Sequence, residues 1–183
     1  MEHLETQNPC FFTQQVFLIG TYCEDGMAHF APISWVSYTA GSPACLVISM
    51  AGRKATKENI KRTGLLSATV ATPDMLPFLD QYNAATRKRD RAGELPIEVE
   101  TGAVLGVPLI QHAPFSYECQ ILQTVLLGET HTYFAQIKSI NLTEAVKDMD
   151  FLDLRAINPL IYSPYNYFTV GKHLGKIGDF SKR

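Results

Sequence analysis

The densest concentration of charge in this sequence is residues 53–62, which carry five cations and one anion: Arg53, Lys54, Lys57, Glu58, Lys61 and Arg62. This segment has a charge of +4, whereas the whole chain has a formal net charge of −2, so the remaining residues carry −6. The small residues Ala51 and Gly52 precede it, after a strand-like run. A strand end, a small-residue loop and a helix start together aim backbone N–H groups at an anion. The pattern predicts a phosphate-binding loop, and a solvated basic helix face explains the charge equally well.

A second unusual place is the run from His29 to Trp35 (His-Phe-Ala-Pro-Ile-Ser-Trp), where a proline lies inside a strand pattern. Proline cannot donate a ladder hydrogen bond, so the strand must be an edge, a bend or a bulge there. Backbone groups that the sheet no longer uses could hydrogen-bond the edge of a planar heterocycle. The simpler interpretation is a plain bulge with Trp35 in the core. His29 would then face solvent or make hydrogen bonds to neighbouring groups.

Several other chemistries lack their sequence patterns. Neither G-x-x-x-x-G-K-[ST] nor G-x-G-x-x-G occurs, which disfavours nucleotide hydrolysis and a Rossmann domain. The hydrolase patterns G-x-S-x-G and H-E-x-x-H are also absent. The cysteines form no C-x-x-C pair, so we expect reduced thiols, several of them in strands, and no metal site: Cys10, Cys23, Cys45 and Cys119.

Nucleic acid and membrane are disfavoured as partners. A net charge of −2 provides no global positive field, and the basic run at residues 87–91 lacks interleaved aromatic residues. No apolar run approaches the roughly 20 residues needed to cross a bilayer, and the acidic N-terminus has no secretory signal pattern. We therefore expect a cytoplasmic protein. Glu98 and Glu100 are most simply the solvent face of a strand.

Short strands with few helices must position these residues. Asp25-Gly26 lies between two β-rich runs, 16–23 and 27–38, and predicts a hairpin. A longer hairpin is predicted from 115–127 and 132–142, which Gly128-Glu129-Thr130 joins. Two further strands are predicted at 44–50 and 65–71. One short helix is predicted to begin with Thr56 as its N-cap and to end at Gly64, and another is predicted at 73–79. Residues 83–96 are predicted to form a polar excursion, and the C-terminal run at 161–178 does not have the composition of a core. We predict a mainly β fold, a closed or nearly closed barrel with short helices, in a single domain over residues 1–183.

Three stretches together carry a family resemblance. They are the first hairpin with Ala-Pro-Ile-Ser-Trp at 31–35, the run Val-Ile-Ser-Met-Ala-Gly-Arg-Lys-Ala-Thr-Lys-Glu-Asn-Ile at 47–60, and Tyr-Glu-Cys at 117–119. In this order and spacing they resemble the flavin reductase-like, FMN-binding split-barrel family, which includes flavoredoxin, over roughly residues 13–142. The resemblance implies a Greek-key-like split barrel, a homodimer, and FMN rather than FAD in a groove near the subunit interface.

The resemblance also assigns residues to the cofactor. Two strand segments match the part that lies along the isoalloxazine ring, and their residues are Ala31, Pro32, Ile33, Ser34, Ser49, Met50 and Ala51. The following loop matches the part that holds the ribityl phosphate, and its residues are Arg53, Lys54, Ala55 and Thr56. The resemblance also places His29 among the cofactor-binding residues, at a position where the family often has Asn. The charge pattern selects the same loop without reference to the family.

Two further positions match the family, and two segments depart from it. Glu118 matches a structural glutamate, and His131 matches a histidine that lies near the nicotinamide or flavin in some members, so it is the one candidate catalytic residue. Residues 84–93 (Ala-Ala-Thr-Arg-Lys-Arg-Asp-Arg-Ala-Gly) replace an expected Gly-Ser-rich segment and Lys-Phe, and residues 134–137 (Phe-Ala-Gln-Ile) lack a usual Gly. These departures lie where the electron donor and acceptor would approach.

The resemblance implies an oxidoreductase that takes a hydride from NADH or NADPH onto FMN and passes the electrons on. The flavin carries that chemistry, so no protein acid or base is strictly required. The alternative is an FMN-binding electron carrier of the flavoredoxin kind, which a partner protein reduces and which has no nicotinamide site. A split barrel of the pyridoxamine-phosphate oxidase type is disfavoured by the spacing at 31–35 and 51–56, and a split barrel without flavin is the remaining alternative.

Overall fold

The computed structural model describes residues 13–81, 97–147 and 153–176. Within these ranges the strands are β1 Gln14–Gln15, β2 Phe17–Tyr22, β3 Ala28–Ile33, β4 Val36–Tyr38, β5 Cys45–Met50, β6 Leu65–Val70, β7 Val99–Thr101, β8 Pro108–Ile110, β9 Phe115–Leu127, β10 Thr130–Leu142, β11 Ile161–Ser163 and β12 Asn166–Phe168. Helix α1 spans Ala55–Thr63. A 3-10 turn, Pro73–Met75, leads into helical residues 76–81, and two single-turn helices span Glu144–Lys147 and Leu154–Ile157.

Seven strands form one curled antiparallel sheet in the order β3-β2-β6-β9-β10-β5-β4. Its edge strands, β3 and β4, are consecutive in the chain, and only Ser34 and Trp35 separate them. The sheet must therefore curl until its two edges approach each other. The predicted mainly β fold, a nearly closed barrel with short helices, is confirmed.

Both predicted hairpins are confirmed. Tyr22 pairs with Ala28 around the Asp-Gly turn, where Gly26 has a φ of 82° that glycine adopts without strain. β9 and β10 have 13 residues each, and Leu127 pairs with Thr130, so β10 begins two residues earlier than predicted. β3 lies at the sheet edge, which accommodates the missing N–H of its proline. The predicted strands at 44–50 and 65–71 correspond to β5 and β6, and the predicted helix at 73–79 to the turn and helix from Pro73.

β2 is buried on both faces and so contributes to two cores. Phe17 and Ile19 point into the barrel, where the packed side chains include Ile48, Leu66, Tyr117 and Ala135. Leu18 points to the opposite face because side chains alternate along a strand. There it belongs to a second cluster between the sheet and the peripheral segments, which includes Val16, Phe30, Met75, Leu79 and Leu160.

The cysteines behave as small hydrophobic residues. Cys45 and Cys119 are buried and Cys23 is half-buried, all as free thiols, as expected. Burial raises the pKa of Cys119 to about 12, so this thiol stays protonated at neutral pH. Cys10 and the whole of the predicted excursion at 83–96 lie outside the described residues.

Trp35 is not a core residue, so that prediction is wrong. Its side chain is 50% exposed, because it lies in the connection between β3 and β4 rather than in a strand. Tyr165, at 95% exposed, agrees with the expectation that the C-terminal run lies outside the core. Tyr162 and Tyr167 contradict it, because β11 and β12 form a sheet with β1 and pack these side chains against the second cluster.

Glu98 and Glu100 are exposed, as predicted for the solvent face of a strand. No helix in the described part of the chain is long and apolar enough to cross a membrane.

Glu118 is fully buried in β9 and organises the loop between β7 and β8. Its carboxylate accepts hydrogen bonds from the backbone N–H of Leu105 (2.6 Å) and of Val104 (3.2 Å), and from Asn141 Nδ2 (3.3 Å). A Cβ at Gly102 would stand 2.5 Å from a carboxylate oxygen, so only glycine fits there. A buried carboxylate is tolerated when donors surround it in this way. These contacts agree with the structural role that the resemblance implies for Glu118.

Replacing Glu118 with glutamine should destabilise the fold. In Glu118→Gln an amide NH2 faces N–H donors, so we expect the free energy of unfolding to fall by about 1–3 kcal/mol. Glu100→Gln, at an exposed position in β7, is the matched control and should change stability little. Urea denaturation measures both, and equal losses in the two variants would contradict the assigned role.

Candidate functional site

The basic segment forms the loop after β5 and the helix α1. Lys54 is the N-cap, in an extended conformation (φ −142°, ψ 138°), and no side chain caps the helix. The first intrahelical hydrogen bond runs from the Lys57 N–H to the Lys54 carbonyl (3.1 Å), so the N–H groups of Ala55 and Thr56 precede it. An anion beside the loop would satisfy such donors. Gly64 ends α1 in the left-handed conformation (φ 68°), as predicted.

Thr56 is not the N-cap, so that prediction is wrong. It lies in the first turn of α1, fully buried, and its Oγ1 is 3.1 Å from Nε2 of His29 on β3. The hydroxyl points inward because α1 packs against the first hairpin, and the contact ties α1 to the edge strand. Burial lowers the pKa of His29, so its imidazole is neutral at neutral pH.

Ser49 connects the end of β5 to two other parts of the barrel. Its backbone N–H donates to the Trp35 carbonyl (2.9 Å) in the β3–β4 connection. Its Oγ is 2.6 Å from Thr132 Oγ1 on β10. The three segments that the sequence assigned to one site, the end of β3, the end of β5 and the loop before α1, are therefore neighbours in the structure.

The residues matched to the flavin ring differ in what they present to a ligand. Ala31, Ile33 and Met50 are buried, with relative exposures of 0%, 6% and 1%, so little of their surface is available to a ligand. Pro32 and Ser34 are half-buried, and residue 51 is exposed. Whether these residues contact a flavin stays a prediction.

Two of the five cations in the basic segment hold the fold together. Lys57 is buried, and its ammonium donates to the carbonyl of Gly52 (2.8 Å) and to that of Glu129 (2.9 Å) in the β9–β10 turn. Arg62 donates to the backbone carbonyl of Tyr22. The segment is therefore neither a uniform phosphate site nor a uniform solvated face.

The remaining three cations differ in exposure. Arg53 and Lys61 are exposed, and Lys54 is half-buried. Arg53 and Lys54 stand directly before the uncapped start of α1, where an anion would bind. Lys61, in the last turn of the helix, fits the description of a solvated basic face.

His131 lies at the start of β10, beside the end of β5. Its register partner is Met50, and its Nδ1 is 3.2 Å from the Tyr133 hydroxyl. Burial, with a smaller contribution from Glu58, raises the pKa of Tyr133 to about 12. The hydroxyl therefore keeps its proton at neutral pH. His131 is thus placed at the same end of the barrel as the loop before α1.

Sequence reasoning missed Asn59, Thr132 and the inward orientation of Lys57. Asn59 Nδ2 donates to Thr21 Oγ1 (3.0 Å), and both residues are buried. Asn59 follows Thr56 by three positions and so shares its helix face. A run of polar residues at that spacing was the signal that could have found this buried polar face.

A cavity of about 610 Å³ lies elsewhere in the described structure. Its walls come from residues 72–75, 77–78, Gln81, 97–98, 110–114 and 157–158, and none of the residues matched to the flavin lines it. In the same parts of the chain, no group of three or more His, Cys, Asp or Glu residues could hold a metal ion. The residues matched to the flavin therefore lie apart from this cavity.

The sequence pattern that defines the flavin reductase like domain matches residues 10–171, so the chain belongs to this family. The match extends beyond the region on which the resemblance rested. Membership confirms the family predicted from the sequence.

Solved structures share the fold. Flavoredoxin from Methanosarcina acetivorans superimposes with a TM-score of 0.85 at 22% identity, covering 100% of this chain and 98% of that one. The FMN-binding protein from Thermus thermophilus gives 0.77 at 16% identity, covering 96% and 99%. The styrene monooxygenase flavin reductase from Pseudomonas putida S12 gives 0.72 at 16% identity, covering 89% and 95%. At these identities the similarity shows the fold alone.

The half-buried His29 predicts a pH-dependent stability. Because burial lowers its pKa below 6.5, the unfolded chain binds more protons than the folded chain once the pH falls below 6.5. Neutral His29 therefore makes its full contribution to the free energy of unfolding above pH 6.5, and this contribution is lost as the pH falls through the pKa of His29 in the folded state. His29→Asn should flatten this part of the stability profile in denaturant titrations.

His112→Asn is the matched control. His112 is exposed and has a φ of 61°, which asparagine tolerates. This variant should keep the slope of the wild-type protein, and an equal flattening in both variants would refute the assignment to His29.

Proposed function

We propose that this protein binds FMN with the phosphate at residues 52–56 and the ring along the end of β3, and that it transfers a hydride from NADH or NADPH to the flavin. The observation that carries the proposal is the uncapped start of α1 beside Arg53 and Lys54. Ser49 joins this loop to the β3–β4 connection, so the phosphate and ring segments are adjacent. Membership in the flavin reductase-like family supports the same ligand.

The residues present fit FMN. A phosphate dianion would meet two cations and the first-turn N–H groups of α1. At Gly52 a Cβ would have nothing within 4 Å, so the loop leaves room for a ligand close to its backbone. When bound, FMN supplies the hydride and electron chemistry.

The chain's own groups bind and orient the cofactor. Arg53 and Lys54 hold the phosphate, and the backbone of the β3–β4 connection faces the polar edge of the ring. Donors fixed at that edge favour the reduced flavin, because negative charge grows there on reduction. The Tyr133 hydroxyl, 3.2 Å from Nδ1, orients His131. His131 lies on the side from which the nicotinamide approaches, and it positions the nicotinamide.

An FMN-binding electron carrier that a partner protein reduces is the second candidate. It needs only the FMN site, and the fold that this chain shares with a flavoredoxin (TM-score 0.85) is compatible with it. The two candidates share the FMN site and differ in the nicotinamide site.

An absorbance titration tests the binding and separates the two candidates. We expect the protein to bind FMN with a saturable change in the flavin spectrum and the bound flavin to bleach when NADH or NADPH is added without air. Bleaching by neither nucleotide, with bleaching by a reduced protein donor, would leave the carrier. Failure to bind FMN would eliminate both.

The phosphate loop has a matched pair of variants. Lys54→Glu should weaken FMN binding by about 1–3 kcal/mol, because it removes a charged contact and adds repulsion. Lys61→Glu changes the same charge at an exposed position near the far end of α1 and should weaken binding much less. Equal losses would mean that only the general charge of the segment matters.

We further propose that the functional unit is a homodimer in which a second copy covers the groove. Val125, Leu126 and Leu127, at the end of β9, are 44%, 64% and 79% exposed. By register, Val125 lies beside Thr132 and so shares the outer face of the sheet with Ser49. Leu127 shares this outer face with Val125, whereas Leu126 points to the opposite face. Exposed apolar side chains beside a functional site are typical of an interface.

Sedimentation equilibrium should give twice the chain mass of 20.4 kDa. Val125→Asp, which places a charge on the outer face, should shift the protein toward the single-chain mass and weaken FMN binding. A single-chain mass for the FMN-loaded wild-type protein would exclude the dimer.

A further inference from the structure

Lys57 differs from the neighbouring cations because its charged group points inward. Its side chain is 9% exposed, and its ammonium donates to the carbonyl oxygens of Gly52 (2.8 Å) and Glu129 (2.9 Å). Two of its three donors are therefore used by backbone acceptors. Burying an ammonium is unfavourable unless such acceptors are present, so its orientation depends on these two contacts.

The two carbonyl groups belong to segments that meet at the end of a strand ladder. The last register pair between β5 and β10 is Met50 with His131. Gly52 lies two residues beyond Met50, and Glu129 lies two residues before His131. The ammonium therefore joins the two segments just past the point where their backbones stop pairing.

Each segment has open space at its glycine. A Cβ built at Gly52, in the loop, or at Gly128, in the turn, would have nothing within 4 Å. Both glycines have a positive φ, 66° and 57°, so each segment bends sharply here. The hydrogen bonds of Lys57 connect the loop and the turn directly at this bend.

We propose that Lys57 is a positioning residue that holds the phosphate loop and the β9–β10 turn in one arrangement, so that phosphate binding at Arg53 and Lys54 is coupled to the placement of His131. The inference rests on the proposed function, because it concerns the FMN phosphate. Lys57 acts through the loop and needs no contact with the flavin.

The geometry predicts selectivity for the phosphate. Without the ammonium, the loop must be ordered by the ligand itself, and part of the binding free energy is then used to order it. Only a ligand with a phosphate uses this loop, so the affinity for FMN should fall and that for riboflavin, which lacks the phosphate, should not.

The test compares Lys57→Met with Lys61→Met, which removes the same charge from an exposed position of the same helix. Flavin fluorescence titration should show that K57M binds FMN about 10-fold more weakly and riboflavin within about 3-fold of wild type. K61M should change both affinities less than about 3-fold. Lys57→Arg, which keeps a cationic donor, should restore most of the FMN affinity.

Hydrogen–deuterium exchange without FMN gives a readout that does not depend on the cofactor. In K57M the backbone amides at 52–54 and at 129–131 should exchange faster together, and in K61M they should not. If the wild-type protein binds no FMN, the proposed function fails, and the joint acceleration alone still decides whether Lys57 holds the two segments together.

Unchanged exchange at either segment in K57M, or equal loss of FMN affinity in K57M and K61M, would overturn the proposal. A parallel loss of FMN and riboflavin affinity in K57M would also overturn it, since that indicates general destabilisation. If K57M does not fold, Lys57→Gln, which keeps a shorter donor, takes its place. It should weaken FMN binding more than riboflavin binding and accelerate exchange at both segments, with smaller effects than expected for K57M. Unchanged exchange, or equal losses of FMN and riboflavin affinity, would again contradict the proposal.

Discussion

A two-residue connection, Ser34 and Trp35, joins the two edge strands of a seven-stranded sheet. If seven strands lay flat at about 4.8 Å spacing, the two edges would stand about 29 Å apart, whereas the chain from Ile33 to Val36 extends at most about 11 Å. The sheet therefore cannot be flat, and it curls until β3 and β4 approach each other. Phe17 and Tyr117 are among the side chains that fill the enclosed space, and their burial stabilises the curl that the connection requires.

The same constraint places the candidate site. Because the connection crosses the split, the Trp35 carbonyl lies within hydrogen-bond distance of Ser49 at the end of β5, and the loop after β5 starts beside the crossing. The contact between His29 and Thr56 and the contacts of Lys57 then fix α1 and the β9–β10 turn to the same end of the barrel. A ligand at the split would meet groups from several strands and one helix, all held by the barrel, rather than groups on one independent loop. This arrangement favours a preorganised site.

Local signals made much of this fold predictable, and non-local packing explains the rest. The turns at Asp25-Gly26 and Gly128 and the end of α1 depend on residues adjacent in sequence, so the sequence alone predicts them. β11 and β12 are short and depend on pairing with β1 at the other end of the chain, which no local pattern reports. Thr56 was misplaced for the same reason: its preference for an N-cap is local, whereas its actual partner, His29, comes from a different element. The cluster of cations in the sequence indicated the candidate loop. Which of these cations points inward depends on how α1 is oriented on the barrel, and the structure shows that it is Lys57.

Amide chemical shifts of the isotope-labelled protein, recorded as FMN is added, test most directly whether the barrel split is the flavin site. If the phosphate binds at the start of α1 and the ring at the crossing, the amides of residues 52–56 and 33–35 should shift together and saturate at the same FMN concentration. Shifts confined to the walls of the separate cavity, around Phe78 and Ile110, would contradict this site for the flavin.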